Sequence, residues 1–256
     1  MDILLTNDDG IHAPGLRALC TVLAPGHRVT LVAPDRERTA VSHAITLHQP
    51  LRAERVAENG GPPAYAVNGT PADCVKLALL DLLGRKPDLV ISGLNRGANV
   101  GVNILYSGTV AAAREAALRG IPAIAASIAL GAPYPPERAA AFVARLLALL
   151  ARRPLPPRTL LNVNFPAVPW EEIAGVQPSR QGLALFPEYV EKRLDPRQQP
   201  YYWQGADTQS FEDDPEADGA ALGRRFIVVT PISCDATDYR VLSELSSWDL
   251  GRPTDL

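Results

Sequence analysis

Short, nearly all-apolar runs separated by helical patterns fill the first 165 residues of this 256-residue chain. Ile3-Leu4-Leu5, Arg28 to Ala33, Asp88 to Ser92, Ile121 to Ala126 and Leu160 to Asn164 read as strands. Apolar runs without alternation suit a parallel sheet covered on both faces. Between them lie helix signals. Pro14 sits near the start of one helix, where a missing N–H costs nothing. Thr70-Pro71-Ala72-Asp73 supplies an N-cap, a proline at N1 and an acid at N3 for a helix through Val75, Leu79 and Leu82 to Gly84. Thr109 opens an alanine-rich helix ending at Gly120, and Arg138 to Leu150 carries an apolar stripe. Repeated βα units of this kind imply an α/β fold with a Rossmann-like, doubly wound, mostly parallel sheet.

The pattern changes after Pro154. Leu160 to Asn164 is still a core strand, but beyond Pro166 prolines, aromatics and charges dominate and strong helix signals cease. Residues 185–215 hold Tyr189, Tyr201, Tyr202, Trp203 and Phe211 among many charges, which reads as an extended hairpin or arm needing a partner surface. Phe226 to Pro231 is one last strong strand. The expected organisation is a Rossmann-like core over 1–165 and a smaller β-rich C-terminal part of the same fold over 166–256.

The net charge of −3 and the lack of a basic block give no footprint for long nucleic acid. No apolar run is long enough for a membrane helix, and the N-terminus enters a strand directly, without a signal-peptide pattern. A cytoplasmic protein is expected. Cys20, Cys74 and Cys234 have neither disulfide-framework nor zinc spacing.

The chemistry gathers where strands end. The first strand stops on Asn7-Asp8-Asp9-Gly10, and ligands of open α/β sheets bind outside the carboxyl ends of strands. Two neighbouring carboxylates repel, and a divalent cation relieves the repulsion. Pro34-Asp35-Arg36-Glu37-Arg38-Thr39 and Ser92-Gly93-Leu94-Asn95-Arg96-Gly97-Ala98-Asn99 follow strands on the same expected edge. Tyr106-Ser107-Gly108-Thr109 opens a helix, whose free N–H groups suit phosphate. Carboxylates, an amide oxygen and a hydroxyl are hard ligands for Mg²⁺, Mn²⁺ or Ca²⁺. Phosphate donors beside such a site suggest metal-assisted phosphoryl hydrolysis.

Five segments taken in order, Thr6 to Gly10, Pro34 to Arg36, Gly69 to Val75, Ser92 to Asn99 and Tyr106 to Ala113, resemble the SurE family of stationary-phase survival proteins. The likeness continues through Asp195-Pro196-Arg197, Tyr201-Tyr202-Trp203 and Thr230-Pro231. It implies a metal-dependent 5′-nucleotidase, a phosphoric monoester hydrolase acting on nucleoside 5′-monophosphates, with 3′-nucleotidase or exopolyphosphatase side activity plausible. It implies one divalent ion per subunit, Mg²⁺ or Mn²⁺ with Ca²⁺ able to occupy the site, on Asp8, Asp9, Thr39 and Asn95. Thr39 departs from the family's usual serine. It implies a homodimer exchanging C-terminal elements, or a homotetramer. Two more departures stand near the end: Ala217-Asp218-Gly219 in place of the usual Thr-Asp, and Arg225 in place of a usual glycine.

Several residues keep two readings at this stage. Asp8 and Asp9 are the catalytic pair, either orienting water or, for one of them, attacking. Asn7 lines the site or holds its turn; Asn95 and Arg96 bind substrate or shape their loop. Ser107, Gly108 and Thr109 supply phosphate donors or cap a helix. Thr70 and Asp73 are capping residues first. His43 is a general base or a structural histidine. Two other functional classes stand beside the hydrolase: a dinucleotide-dependent oxidoreductase, opposed by the absence of G-x-G-x-x-G after the first strand, and a nucleotide sensor without turnover.

Overall fold

The computed structural model describes residues 1–56, 60–183, 188–206 and 214–249. The elements run β1 (Asp2–Thr6), α1 (Pro14–Leu23), β2 (Arg28–Pro34), β3 (Ala53–Val56), β4 (Ala64–Val67), α2 (Pro71–Leu77), β5 (Leu89–Arg96), α3 (Asn103–Tyr106), α4 (Gly108–Leu118), β6 (Ala123–Ile128), α5 (Pro136–Leu150) and β7 (Thr159–Phe165). They continue as β8 (Gly175–Pro178), β9 (Glu188–Leu194), β10 (Pro200–Ala206), α6 (Asp218–Gly223), β11 (Phe226–Ser233) and α7 (Tyr239–Leu245).

Nine strands form one sheet in the order β3-β4-β2-β1-β5-β6-β7-β11-β8. The run from β4 to β7 is parallel; β3 and β11 enter antiparallel to β4 and β7. The chain leaves β1 for β2 on one side and later returns to β5 on the other. That reversal is the topological switch point, and it opens a crevice at the carboxyl ends of β1 and β5. The strand pleat sends alternate side chains to opposite faces. Ile3 and Leu5 accordingly join the core under α1 and α5, with Leu16, Leu19, Val143 and Phe165. Leu4 joins the opposite core under α2 and α4, with Val75, Val110 and Ala113.

The expected α/β fold is therefore present, mostly parallel and covered on both faces. Thr70 caps α2 through its hydroxyl, and Asp73 answers from N3 in a complete capping box. The helix read to Gly84 ends at Leu82, widening beyond Leu77 into a π-helical turn over Ala78–Leu82, and Gly84 follows the C-cap Leu83. β3 and β4 went unread because both are only four residues long, and β3 carries two charges. Past Pro166, where strong helix signals cease, two short helices still form: α6 is six residues long with two glycines, and α7 buries no residue. β9 and β10 pair antiparallel in a separate two-stranded sheet, the expected arm. Phe211, the fifth aromatic of that reading, lies outside the described residues. None of the three cysteines is in a disulfide.

Candidate active site

Asp8 and Asp9 leave the carboxyl end of β1 on a turn that Asn7 closes. Gly10 N–H donates to Asn7 Oδ1 at 3.1 Å, and Asn7 Nδ2 donates back to Gly10 O at 2.9 Å. Asn7 is fully buried, so of its two readings the structure supports the turn. The neighbouring strand braces the same turn: Ile11 N–H donates to Pro34 O (2.9 Å), and Arg38 N–H donates to Asp8 O (2.8 Å).

Asp8 points at the start of α4. The Thr109 hydroxyl donates to Asp8 Oδ1, and the Thr109 N–H also bonds this carboxylate. Gly108 makes the approach possible. A Cβ there would lie 2.9 Å from Asp8 Cβ and 3.1 Å from Pro71 Cγ, so only glycine lets the helix start reach the acid. Ser107 caps α4, its Oγ accepting from Val110 N–H at 3.1 Å. Thr109 thus faces the carboxylate, while Ser107 sits at a helix start whose first N–H groups have no partner within the helix.

Burial dominates the electrostatics of the pair. It raises the Asp8 carboxyl above its ordinary value despite the Thr109 bonds. Asp9 is pushed up to about 6, first by burial and then by the Asp8 charge. The Arg96 backbone N–H counters this, but the Arg96 charge offsets less than Glu37 adds. A pair of acids so placed is short of positive charge, and the donors around it are oxygens. Both facts fit a hard divalent cation. Among the described residues, no three of His, Cys, Asp and Glu gather into a metal cluster. Neutral oxygens would therefore complete the set.

Asn95 and Arg96 end β5. The strand runs longer than its apolar core because Gly93 permits an irregular step: the register against β6 shifts between Ser92 and Asn95. A Cβ on Gly93 would lie 2.2 Å from Ala126 O. Asn95 Nδ2 donates to Gly97 O at 2.8 Å, which leaves Oδ1 as the group available to a ligand. Asn95, Arg96, Asp9 and Glu37 are among the residues that line a cavity of about 560 Å³.

Thr39 is exposed, and its hydroxyl donates to Glu37. The structure joins it to the diacid only through Glu37, whose charge raises both Asp8 and Asp9. His43 does not point at the pair. Its Nε2 lies 3.0 Å from Glu115 Oε2, and Glu115 also accepts from Arg119 Nε at 2.7 Å. Ser42 bonds Tyr106 O and Leu105 O, so this segment is tied to α3 and α4.

The loop after β5 is held by residues that the motif reading left aside. Asn99 donates to Asn164 Oδ1 (2.7 Å) and Ser127 Oγ (2.8 Å), and its carbonyl accepts from Asn162 (2.7 Å) and Asn164 (3.1 Å). At the far end the fully buried Asp218 accepts from the N–H groups of Gly101, Gly182 and Gly219. Glu37 and Asp218 were visible in sequence as acids inside motif segments. Asn162 and Asn164 were visible as amides in a strand otherwise fit for the core.

Residues 3–187 match the family described as survival protein SurE. A 5′-nucleotidase SurE of Desulfatibacillum aliphaticivorans is 58% identical over 255 residues, covering 99% of this chain and 100% of that protein. Its counterpart in Syntrophobacter fumaroxidans is 48% identical, covering 98% and 100%. The crystal structure of the SurE protein from Aquifex aeolicus superposes with a TM-score of 0.83 at 37% identity, over 96% of this chain and 98% of that one. With its five motif segments gathered around one switch-point crevice, the chain belongs to the SurE family.

Proposed function

We propose that this protein is a 5′-nucleotidase that hydrolyses nucleoside 5′-monophosphates to nucleoside and phosphate. The observation that carries the reading is the adjacent pair Asp8 and Asp9 at the switch point, with Asp8 bonded to the start of α4. The names of the relatives support the same activity. Asp8, Asp9 and Asn95 would hold one divalent cation, Mg²⁺ or Mn²⁺, with Thr39 as the fourth ligand once its hydroxyl leaves Glu37. When bound, the cation supplies Lewis acidity at the phosphate and makes water a better nucleophile at neutral pH. Ser107 and Gly108, at the start of α4, receive the phosphate oxygens. Such donors act most strongly where water is excluded. Thr109 acts through Asp8, fixing its carboxylate. Arg96 and Asn95 face the substrate from the opposite side.

The 1–165 core carries this machinery, and the 166–256 part carries assembly into a homodimer or homotetramer. No helix among the described residues is long and apolar enough to cross a membrane, and we assign the protein to the cytoplasm. Activity on 3′-nucleotides and on short polyphosphates would use the same phosphate donors. Purified protein should release phosphate from AMP with Mn²⁺ or Mg²⁺ and stop in chelator. Undiminished release in metal-free buffer would defeat the ligand assignment, and no release under any metal would favour the sensor.

A further inference from the structure

We infer that Asp218 is a positioning residue: from the C-terminal part of the chain it fixes the turn at Gly101, and through that turn the phosphate-binding end of the site at Ser107 and Gly108. The inference rests on the nucleotidase reading above and gives the C-terminal part a share in the chemistry besides assembly. Asp218 opens α6 and is fully buried. A buried carboxylate is costly unless hydrogen bonds replace its water, and here backbone groups supply them. Gly101 N–H donates to both oxygens at 3.0 Å, Gly182 N–H to Oδ1 at 3.0 Å and Gly219 N–H to Oδ1 at 2.8 Å. The three donors come from the loop after β5, the segment after β8 and α6 itself. Bonds to an ionised acceptor are stronger than neutral ones, so one acid gathers three segments.

The same C-terminal segments hold the loop in two further ways. Gln181 Nε2 donates to Gly101 O at 3.0 Å, and the fully buried Val100 packs with Ala221, Leu222 and Val228. The segments are tied to each other as well: Asp218 N–H donates to Arg180 O and Arg180 N–H to Glu216 O, each at 2.9 Å. From Gly101 the path to the site is one bonded turn. Asn103 N–H donates to Val100 O (3.2 Å), Ile104 N–H to Gly101 O (3.3 Å) and Ser107 N–H to Asn103 O (3.0 Å). Ile104, in the middle of α3, is fully buried. Ser107 ends α3 and caps α4, so a shift at Gly101 is passed to Ser107 and Gly108. An amide in place of the acid would produce that shift. Because Gly101 N–H bonds both oxygens of Asp218, either orientation of an asparagine sets its NH2 group against that N–H.

The test compares Asp218→Asn with wild type in three measurements: kcat/KM for AMP with Mg²⁺, calorimetric affinity for inorganic phosphate with Mg²⁺ present, and affinity for Mg²⁺ alone. The first two should each fall ~10-fold or more, since displaced donors can cost ~10²-fold. Mg²⁺ alone should bind as it does to wild type, because Asp8, Asp9 and Asn95 lie outside the α3 turn. Gln181→Leu removes only the side-chain bond to Gly101 O. It should show the same pattern at ~3-fold, and it carries the test if Asp218→Asn fails to fold. A lower melting temperature with unchanged phosphate affinity would make Asp218 a structural acid only and overturn the inference. Equal weakening of phosphate and of Mg²⁺ alone would overturn it too. Wild-type protein that binds phosphate but leaves AMP intact would sink the nucleotidase reading alone, and the phosphate comparison would still decide the role of Asp218. Wild-type protein that binds no phosphate would overturn both.

Discussion

At the carboxyl edge of the main sheet, the side chains that the site uses are held from within the chain. Asn7 is locked to Gly10, Asp8 to Thr109, and Asn99 to β6 and β7. In the β9–β10 ribbon, the large side chains are held by little. Tyr201, Tyr202 and Trp203 are 41%, 58% and 59% exposed, and Tyr189, Val190 and Leu194 are exposed as well. Successive strand residues face opposite ways, so both faces of the ribbon are apolar and uncovered. Tyr202 has Lys192 over its ring at 5.9 Å, and the Tyr189 ring lies over Gly205; these contacts stay within the ribbon. An isolated two-stranded hairpin is marginally stable in water, and clustered apolar exposure marks an interaction surface. The edge is a finished structure in one chain, while the ribbon leaves apolar side chains exposed on both faces and is the surface proposed above for assembly with a second copy.

The sharpest way to break that contrast is to damage each region separately. Asp8→Asn and Asp9→Asn keep the shape and remove a charge that faces the cation. Each should cost at least ~10²-fold in kcat while the sedimentation profile stays that of the wild type. Deleting residues 188–206 should do the reverse, giving a smaller species that still binds Mn²⁺ in calorimetry. An oligomer that survives the deletion, or a deletion that abolishes cation binding, would show that the regions are not independent.

A milder test stays at the edge. Burial raises the Asp73 carboxyl, but bonds from Thr46 and Thr70 together outweigh it and hold the group below its ordinary value. Thr46 N–H reaches its two oxygens at 3.0 and 3.2 Å, and Thr70 N–H reaches one at 3.0 Å. Asp73→Asn should destabilise the protein by ~1 kcal/mol at pH 7. The sign follows from the depressed pKa: the charge stabilises the fold above the unfolded value of 3.8, and that contribution is lost as pH falls through the lower folded value. The gap in melting temperature between wild type and variant should close below pH 3.8; a gap constant down to pH 2.5 would assign the effect to shape.

The fold was legible because parallel strands covered on both faces read as apolar runs, and helix caps announce themselves locally. The carboxylate pair was legible for the same reason: Asp8 and Asp9 interrupt such a run. What each neighbouring residue does was not legible, because it depends on contacts across the sheet. Thr109 reads equally as a phosphate donor or a cap until Asp8, 101 residues away, is seen to take its hydroxyl. His43 reads as a base or a structural histidine until Glu115 is found beside it. Asp218 stood in a motif segment, but nothing local gave its role, which lies in N–H groups of Gly101 and Gly182 brought from distant segments. The short strands β3, at the sheet edge, and β4, next to it, escaped because four residues are too few to show a period, and pairing makes them strands.

The smallest expected effect falls on the C-terminal side, where the chain leaves α6 for β11. Arg225 adopts φ +69°, a left-handed conformation, immediately after the C-cap Arg224. Its N–H donates to Leu222 O at 2.9 Å, a helix-end arrangement that glycine usually fills. This is also the position where the family resemblance leads one to expect glycine. Holding a residue with a Cβ there costs ~1 kcal/mol or more, offset in part by a Glu172 ion pair at 3.1 Å between half-exposed side chains, a type of contact typically worth ~0–1 kcal/mol. Arg225→Gly relieves the strain but loosens the unfolded chain and removes the ion pair. The net gain should be ~0.5 kcal/mol, one or two degrees in melting temperature at this chain length. Arg225→Ala loses the ion pair and keeps the strain, so it should melt below both. The Gly-to-Ala difference isolates the backbone cost, because neither variant can pair with Glu172. An alanine variant as stable as the glycine variant would show that the left-handed turn costs nothing here, and that the C-terminal segment accepts its departures from the family without strain.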